Sequence, residues 1–139
     1  MDKKCEALCE KLAGFIVKKD FNGARTLLAP WLQPTLTAAA LQKMVADASE
    51  GLAHPPSSWT VDEGVAELSD LLEPDGLGPP SQKISAEIND RNFRGWISIQ
   101  FVPDESVHEE QNACFELWVL AVEHQGAVVA GYIEAAEAT

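Results

Sequence analysis

The sequence predicts an α+β fold, with N-terminal helices packed on a curved four-stranded antiparallel sheet. Three observations carry this expectation. Apolar residues recur with helical spacing through the first third of the chain, and the period becomes two from Lys83 onward. Helices first and antiparallel strands afterwards speak against a parallel α/β sheet. In Cys114 to Ala136, two runs rich in Val, Ile, Leu and aromatic residues flank His124-Gln125-Gly126. That is the pattern of a strand, a tight turn and a returning strand.

Residues 3–19 read as an amphipathic helix. Cys5, Leu8, Cys9, Leu12, Phe15 and Ile16 share one face, and lysines and glutamates take the other. Asp20 is the N-cap of a second, short helix whose apolar side is Phe21, Ala24, Leu27 and Leu28. Pro30 stops it, because Ala29 is pushed out of helical geometry. Trp31 and Leu32 fill a corner before Pro34. Thr37 caps a third helix, and Leu36 with Leu41 fits a hydrophobic staple around it. Leu41, Met44, Val45, Ala48 and Leu52 keep helical spacing, and Gly51 is its C-terminal stop. His54 to Ser58 is a linker. Thr60 and Glu63 have capping-box spacing, and Val61, Val65, Leu68 and Leu72 are spaced for a fourth helix over 60–72. An irregular segment is the alternative there. Glu73 to Pro80 is a loop by its proline and glycine content.

The first strand is expected over 83–89, where Ile84, Ala86 and Ile88 alternate with Ser85, Glu87 and Asn89. A turn at Asn89 to Asn92 leads to a second strand over 94–102. Ile97, Ile99 and Phe101 lie on one of its faces, and Trp96, Ser98 and Gln100 on the other. After an acidic loop from Pro103 to Asn112, strands 114–124 and 127–136 complete the sheet. A two-residue turn at Gln125-Gly126 sets His124 opposite Ala127. Counting back places Val122 opposite Val129, Leu120 opposite Gly131 and Trp118 opposite Ile133 on one face. Val119 opposite Tyr132 and Leu117 opposite Glu134 take the other. Both faces are apolar, so both need cover. Leu117, Val119, Leu120, Ile97 and Ile133 are expected in the core. Gly131 interrupts a bulky strand and predicts a bend there.

The 139 residues suit one domain spanning 1–139, and 46% hydrophobic content suffices for a core without metals or disulfides. No stretch approaches the roughly 20 apolar residues of a membrane span. The charged N-terminus has no apolar signal core. Three cysteines, an odd number, argue for reduced thiols and a cytoplasmic setting. The net charge is −12 and uneven: residues 1–50 hold seven basic and six acidic side chains, residues 51–139 three and sixteen. Nucleic acids and anionic lipid are thereby excluded as expected partners. The acid excess serves solubility or a basic protein partner.

No chemical motif is complete. His108-Glu109-Glu110-Gln111-Asn112 has asparagine where a zinc-protease helix needs its second histidine. Cys5 and Cys9 sit one helical turn apart but lack two further ligands nearby, so no metal and no cofactor is expected, and small buried thiols account for them. There is no phosphate-cradling loop and no nucleophile elbow. Cys114 begins a strand and is expected to pack. Tyr132 and Glu134 share a face of the last strand. A carboxylate among apolar groups and a phenol nearby are the raw material of proton abstraction next to a carbonyl. The simpler account is a wet sheet end for Glu134 and a core ring with its hydroxyl at the surface for Tyr132. Trp118, Tyr132, Glu134 and Trp96 are the candidate ligand contacts.

The N-terminal helix, the short helix from Asp20-Phe21 through Ala24 and Leu27-Leu28, the Pro30-Trp31-Leu32 corner and the helix opened by Leu36-Thr37 precede a terminal antiparallel sheet. This layout resembles the nuclear transport factor 2-like superfamily, the cystatin-like α+β cone. The resemblance implies a curved sheet wrapped around a helix, often with a pocket. Its members include isomerases, hydrolases and dehydratases, ligand- or protein-binding domains, and immunity proteins that neutralise toxins. No catalytic residue transfers by motif. Two functions are therefore expected to compete. One is a non-catalytic cytoplasmic binding protein, homodimeric or bound to a basic protein or a small apolar ligand. The other is a small enzyme acting on an apolar carbonyl compound through Glu134 and Tyr132.

Overall fold

The computed structural model describes residues 2–50, 56–65, 67–73, 84–103 and 114–138. Three helices come first: α1 (Lys3–Val17), α2 (Phe21–Arg25) and α3 (Ala38–Ala48). Strand β1 (Pro56–Glu63), one helical turn α4 (Leu68–Leu71), β2 (Phe93–Pro103), β3 (Cys114–His124) and β4 (Ala127–Ala138) follow. The strands form one antiparallel four-stranded sheet in the order β1-β2-β3-β4. The fold is α+β, with the N-terminal helices packed on that sheet. No helix among the described residues is long and apolar enough to cross a membrane.

Local chemistry sets the helix ends. The Asp2 carboxylate accepts from Lys4 N at 2.7 Å, and Asp20 Oδ1 accepts from Gly23 N at 3.0 Å. Thr37 Oγ1 accepts from Ala40 N at 3.2 Å. Helix α1 ends two residues before the expected boundary, where Lys19 adopts a left-handed φ of 61°. The stripe Cys5, Leu8, Cys9, Leu12 and Ile16 is buried, as its spacing implies, and so is Leu41-Val45-Ala48 of α3.

Two expectations in the middle of the chain are corrected. Residues 60–72 do not form one helix: Pro56–Glu63 is the edge strand β1, and only Leu68–Leu71 is helical. Thr60 and Val61 are β-branched, and Trp59 and Val61 alternate with exposed Ser58, Thr60 and Asp62. Pairing with β2, Trp59 opposite Phe101 and Val61 opposite Ile99, outweighs the capping-box spacing. The expected strand over 83–89 is also absent. Lys83 lies outside the described residues, and Ile84 to Asn92 runs through bends and turns. Side chains satisfy the backbone locally there. Asn92 Nδ2 donates to Glu87 O at 2.7 Å, Asn89 N to Asn92 Oδ1 at 2.8 Å and Arg91 N to Asn89 Oδ1 at 2.9 Å. Such bonds compete with a sheet ladder.

The β3–β4 hairpin begins as counted. Gln125 and Gly126 have φ of 51° and 83°, the left-handed pair of a tight two-residue turn, and His124 faces Ala127. Val122 faces Val129. The register then shifts: Ala121 pairs with Ala130, but Leu120 pairs with Tyr132, leaving Gly131 as an extra residue. The pairs Leu120–Gly131, Trp118–Ile133, Val119–Tyr132 and Leu117–Glu134 are therefore replaced by Leu120–Tyr132, Val119–Ile133, Trp118–Glu134 and Leu117–Ala135. Crowding explains why this residue is glycine. A Cβ on it would lie 3.0 and 3.1 Å from the two Val122 methyls and 3.2 Å from Ile88 Cδ1.

The Pro30-Trp31-Leu32 corner docks on the same place. Ala29 N donates to Ala130 O at 2.8 Å and Ala130 N to Leu27 O at 2.9 Å, a short parallel bridge along the outer edge of β4. Trp31 Nε1 donates to the Gly131 carbonyl at 2.9 Å, and its ring meets His124 edge-on at 5.8 Å. The strand edge is covered where the bulge would otherwise leave backbone groups unpaired.

Both faces of the sheet are apolar, and each has its own cluster. Helices α1–α3 cover Ile97, Ile99, Phe101, Phe115, Leu117, Val119 and Ile133, with Phe101 stacked on Phe115 at 4.6 Å. On the second face Trp96, Leu120 and Val122 pack under Leu68 and Leu71 of α4 and under Ile88. Leu117, Val119, Leu120, Ile97 and Ile133 are all at most 4% exposed.

Candidate functional site

The second sheet face divides along its length. At the turn end it is covered by α4 and the Ile84–Ile88 segment, and Trp96, Leu120 and Val122 are buried. Towards the other end it carries Thr60 and Asp62 of β1, Ser98 and Gln100 of β2, Glu116 and Trp118 of β3, and Glu134 of β4. Alternation along each strand and the register place them together. Asp62 and Thr60 are exposed; Gln100, Glu116, Trp118, Tyr132 and Glu134 are partly buried.

Aromatic rings mark the border between the halves. Trp118 stacks on Trp96 with centroids 5.1 Å apart and planes 17° apart, and Tyr132 lies 6.4 Å from Trp96. Trp118 Nε1 donates to Glu116 Oε2 at 3.1 Å. Trp96 is 2% exposed, and among the described residues its Nε1 has no hydrogen-bond partner. Burial, and next the nearby Glu134 charge, push the Tyr132 phenol up to about 12. At neutral pH it is a hydrogen-bond donor and not a base.

The bulge changes which candidates meet. Counting without it divides Trp118 and Ile133 from Tyr132 and Glu134. The observed register puts Trp118, Tyr132 and Glu134 on one face with Trp96, while Ile133 turns into the helix-facing core. All four candidate ligand contacts thus lie on one face of the sheet, although Trp96 is buried there and only Trp118, Tyr132 and Glu134 are partly exposed. Glu116 was not anticipated, although its position two residues before Trp118 on a strand places it on the same face.

The remaining candidates fall elsewhere. Cys5 and Cys9 are buried under α1, and Cys5 Sγ lies 3.9 Å from Arg94 O. Burial raises both thiols, Cys9 to about 12, so neither is a poised nucleophile. His108 to Asn112 and His54 lie outside the described residues, as does the Cys114 side chain. Among the described residues no group of three His, Cys, Asp or Glu could hold a metal ion. Arg94 is paired with Glu123.

Chemically, the open half offers indole surface, a phenol donor and carboxylates, without a neighbouring lysine or arginine on the same face among the described residues. No protein-family model, curated protein or solved structure matches this chain.

Proposed function

We propose that this chain is a non-catalytic cytoplasmic binding protein on the nuclear transport factor 2-like plan, and that its partner is a protein seated on the open half of the second sheet face. One observation carries the proposal: a partly exposed Trp118, stacked on buried Trp96 beside Tyr132, on the side of the sheet that α1–α3 do not cover. Tryptophan and tyrosine anchors beside a polar rim are the composition of protein interfaces. The layer between helices and sheet is filled by side chains such as Leu12, Ile99, Phe101, Phe115 and Val119, all 0% exposed. That filling favours surface recognition over an enclosed ligand. With a charge of −12, the partner is basic, and a toxin-neutralising inhibitor is one form this binding takes.

Photo-crosslinkers introduced in the native cell test this. A probe at Gln100, on the open face, is expected to capture a defined basic protein. One at Ala39, exposed on α3, is expected to capture none. Adducts from Ala39 and none from Gln100 would overturn the proposal.

A second function, a small enzyme acting on an apolar carbonyl compound, draws support from the Tyr132 phenol held protonated near Glu134. It is the weaker one, because Glu134 is partly exposed at the open end of the sheet. A general base tuned for carbon acids needs desolvation.

A further inference from the structure

We infer that the outer face of Trp118, with the carboxylates of Glu116 and Glu134 beside it, is a receptor for an arginine guanidinium presented by a basic protein partner. This rests on the proposal that the open half of the second face is the binding surface, and it names what that surface takes.

Trp96 occupies one face of the Trp118 indole, 5.1 Å away and within 17° of parallel. Trp118 is only partly buried, so part of its ring beyond the Trp96 contact reaches solvent. The edge donates to Glu116 Oε2 at 3.1 Å, which fixes the ring plane and holds a negative carboxylate at its rim. Glu134 is the cross-strand partner of Trp118. Such partners have side chains about 5 Å apart at Cβ. Among the described residues the Glu134 side chain makes no hydrogen bond or ion pair. The arrangement is thus an aromatic plane with two carboxylates beside it and, among the described residues, no nearby lysine or arginine on that face.

Each part selects the same ligand. An indole face attracts cations through its quadrupole, and tryptophan does so best. A guanidinium is planar, weakly hydrated and able to stack while its fork donates to a carboxylate; an ammonium donates as a strongly hydrated point charge and cannot stack while it does so. Anions are repelled by both glutamates, and an apolar ligand would leave them unused. The charge of −12 draws basic partners in.

The probes are a hexa-arginine and a hexa-lysine peptide of equal charge, titrated by calorimetry. The parent is expected to bind hexa-arginine more tightly. Trp118→Leu keeps apolar packing on Trp96 and is expected to weaken hexa-arginine binding about tenfold and abolish the preference. Glu134→Gln, at a partly exposed position, is expected to weaken binding several-fold without unfolding the chain. Equal affinity for both peptides, or Glu134→Gln and a folded Trp118→Leu that bind like the parent, would overturn the inference. If Trp118→Leu does not fold, Glu134→Gln alone decides. A basic partner captured from Gln100 alongside equal peptide affinities would refute the arginine receptor and leave the binding protein standing.

Discussion

Replacing Gly131 by valine tests the central feature of the sheet. The added Cβ would stand 3.0 and 3.1 Å from the Val122 methyls and 3.2 Å from Ile88 Cδ1, before its own two methyls are counted. Val122 is 0% and Ile88 7% exposed, so neither can move into solvent without uncovering the core. Overpacking of this kind costs about 1–3 kcal/mol. If the strand shifts to relieve it, the Trp31 Nε1 bond to the Gly131 carbonyl, 2.9 Å long, is lost as well. That adds about 1 kcal/mol. The expected total of about 2–4 kcal/mol lowers the urea midpoint by about 1–2 M at a slope near 2 kcal/mol/M. Gly131→Ala, which adds only the first carbon, should fall between parent and valine. Deleting Gly131 is a useful companion, since it removes the extra residue yet keeps Tyr132, Ile133 and Glu134 opposite their present partners. It should therefore lose the Trp31 anchor but leave the faces unchanged. An unchanged midpoint with an unchanged slope in Gly131→Val would refute the crowding argument.

Two further outcomes follow from the core and the titrating groups. Leu117→Ala, at 1% exposure, is expected to cost about 2–5 kcal/mol by denaturant titration, and a cost below about 0.5 kcal/mol would show that the position is not core. Cys9 and Tyr132 both bind their protons more tightly in the folded chain, to about 12, than their ordinary values of 9.0 and 10.0. Above those ordinary values the unfolded chain has lost protons that the folded chain still holds, so stability should fall as pH rises from about 9 towards 12. Tyr132→Phe should flatten the part of that decline above pH 10, and an identical alkaline profile would contradict the burial assigned to the phenol.

The helical half was legible because its signals were local and agreed with one another. Asp20 and Thr37 cap the helices that their sequence positions suggest, and the apolar stripe of α1 is buried apart from Phe15, which is partly buried. The middle of the chain was not, because local signals conflicted. Thr60 and Glu63 have the spacing of a capping box, yet Trp59 and Val61 also alternate with polar residues. Only the presence of Phe101 and Ile99 across the ladder decides for a strand. Between Ile84 and Asn92 the alternation was real, but the asparagine side chains at 89 and 92 satisfy the backbone before a neighbouring strand can. The candidate residues Trp96, Trp118, Tyr132 and Glu134 were identifiable by type; that they meet was not, because strict counting through Gly131 assigned them to different faces.

That miscount has a physical lesson, since the required shift is written in the residues. Val128, Ala130, Ile133 and Ala135 all pack on the helix-facing cluster, and the step from 130 to 133 is odd. A flat strand cannot place 130 and 133 on one side. With Gly131 paired to Leu120 in a flat ladder, Ile133 would be driven out of the core opposite Trp118 and Glu134 driven in opposite Leu117. Burying an unpaired carboxylate costs far more than accommodating one glycine in a bulge. The core therefore selects the bulged register, and the bulge in turn carries Tyr132 and Glu134 to the side of Trp118. The aromatic and acidic surface is a consequence of keeping Ile133 inside. Any change that moves Gly131 into the ladder opposite Leu120 should alter stability and recognition together, whereas changes at Glu116 or Glu134 should alter recognition alone.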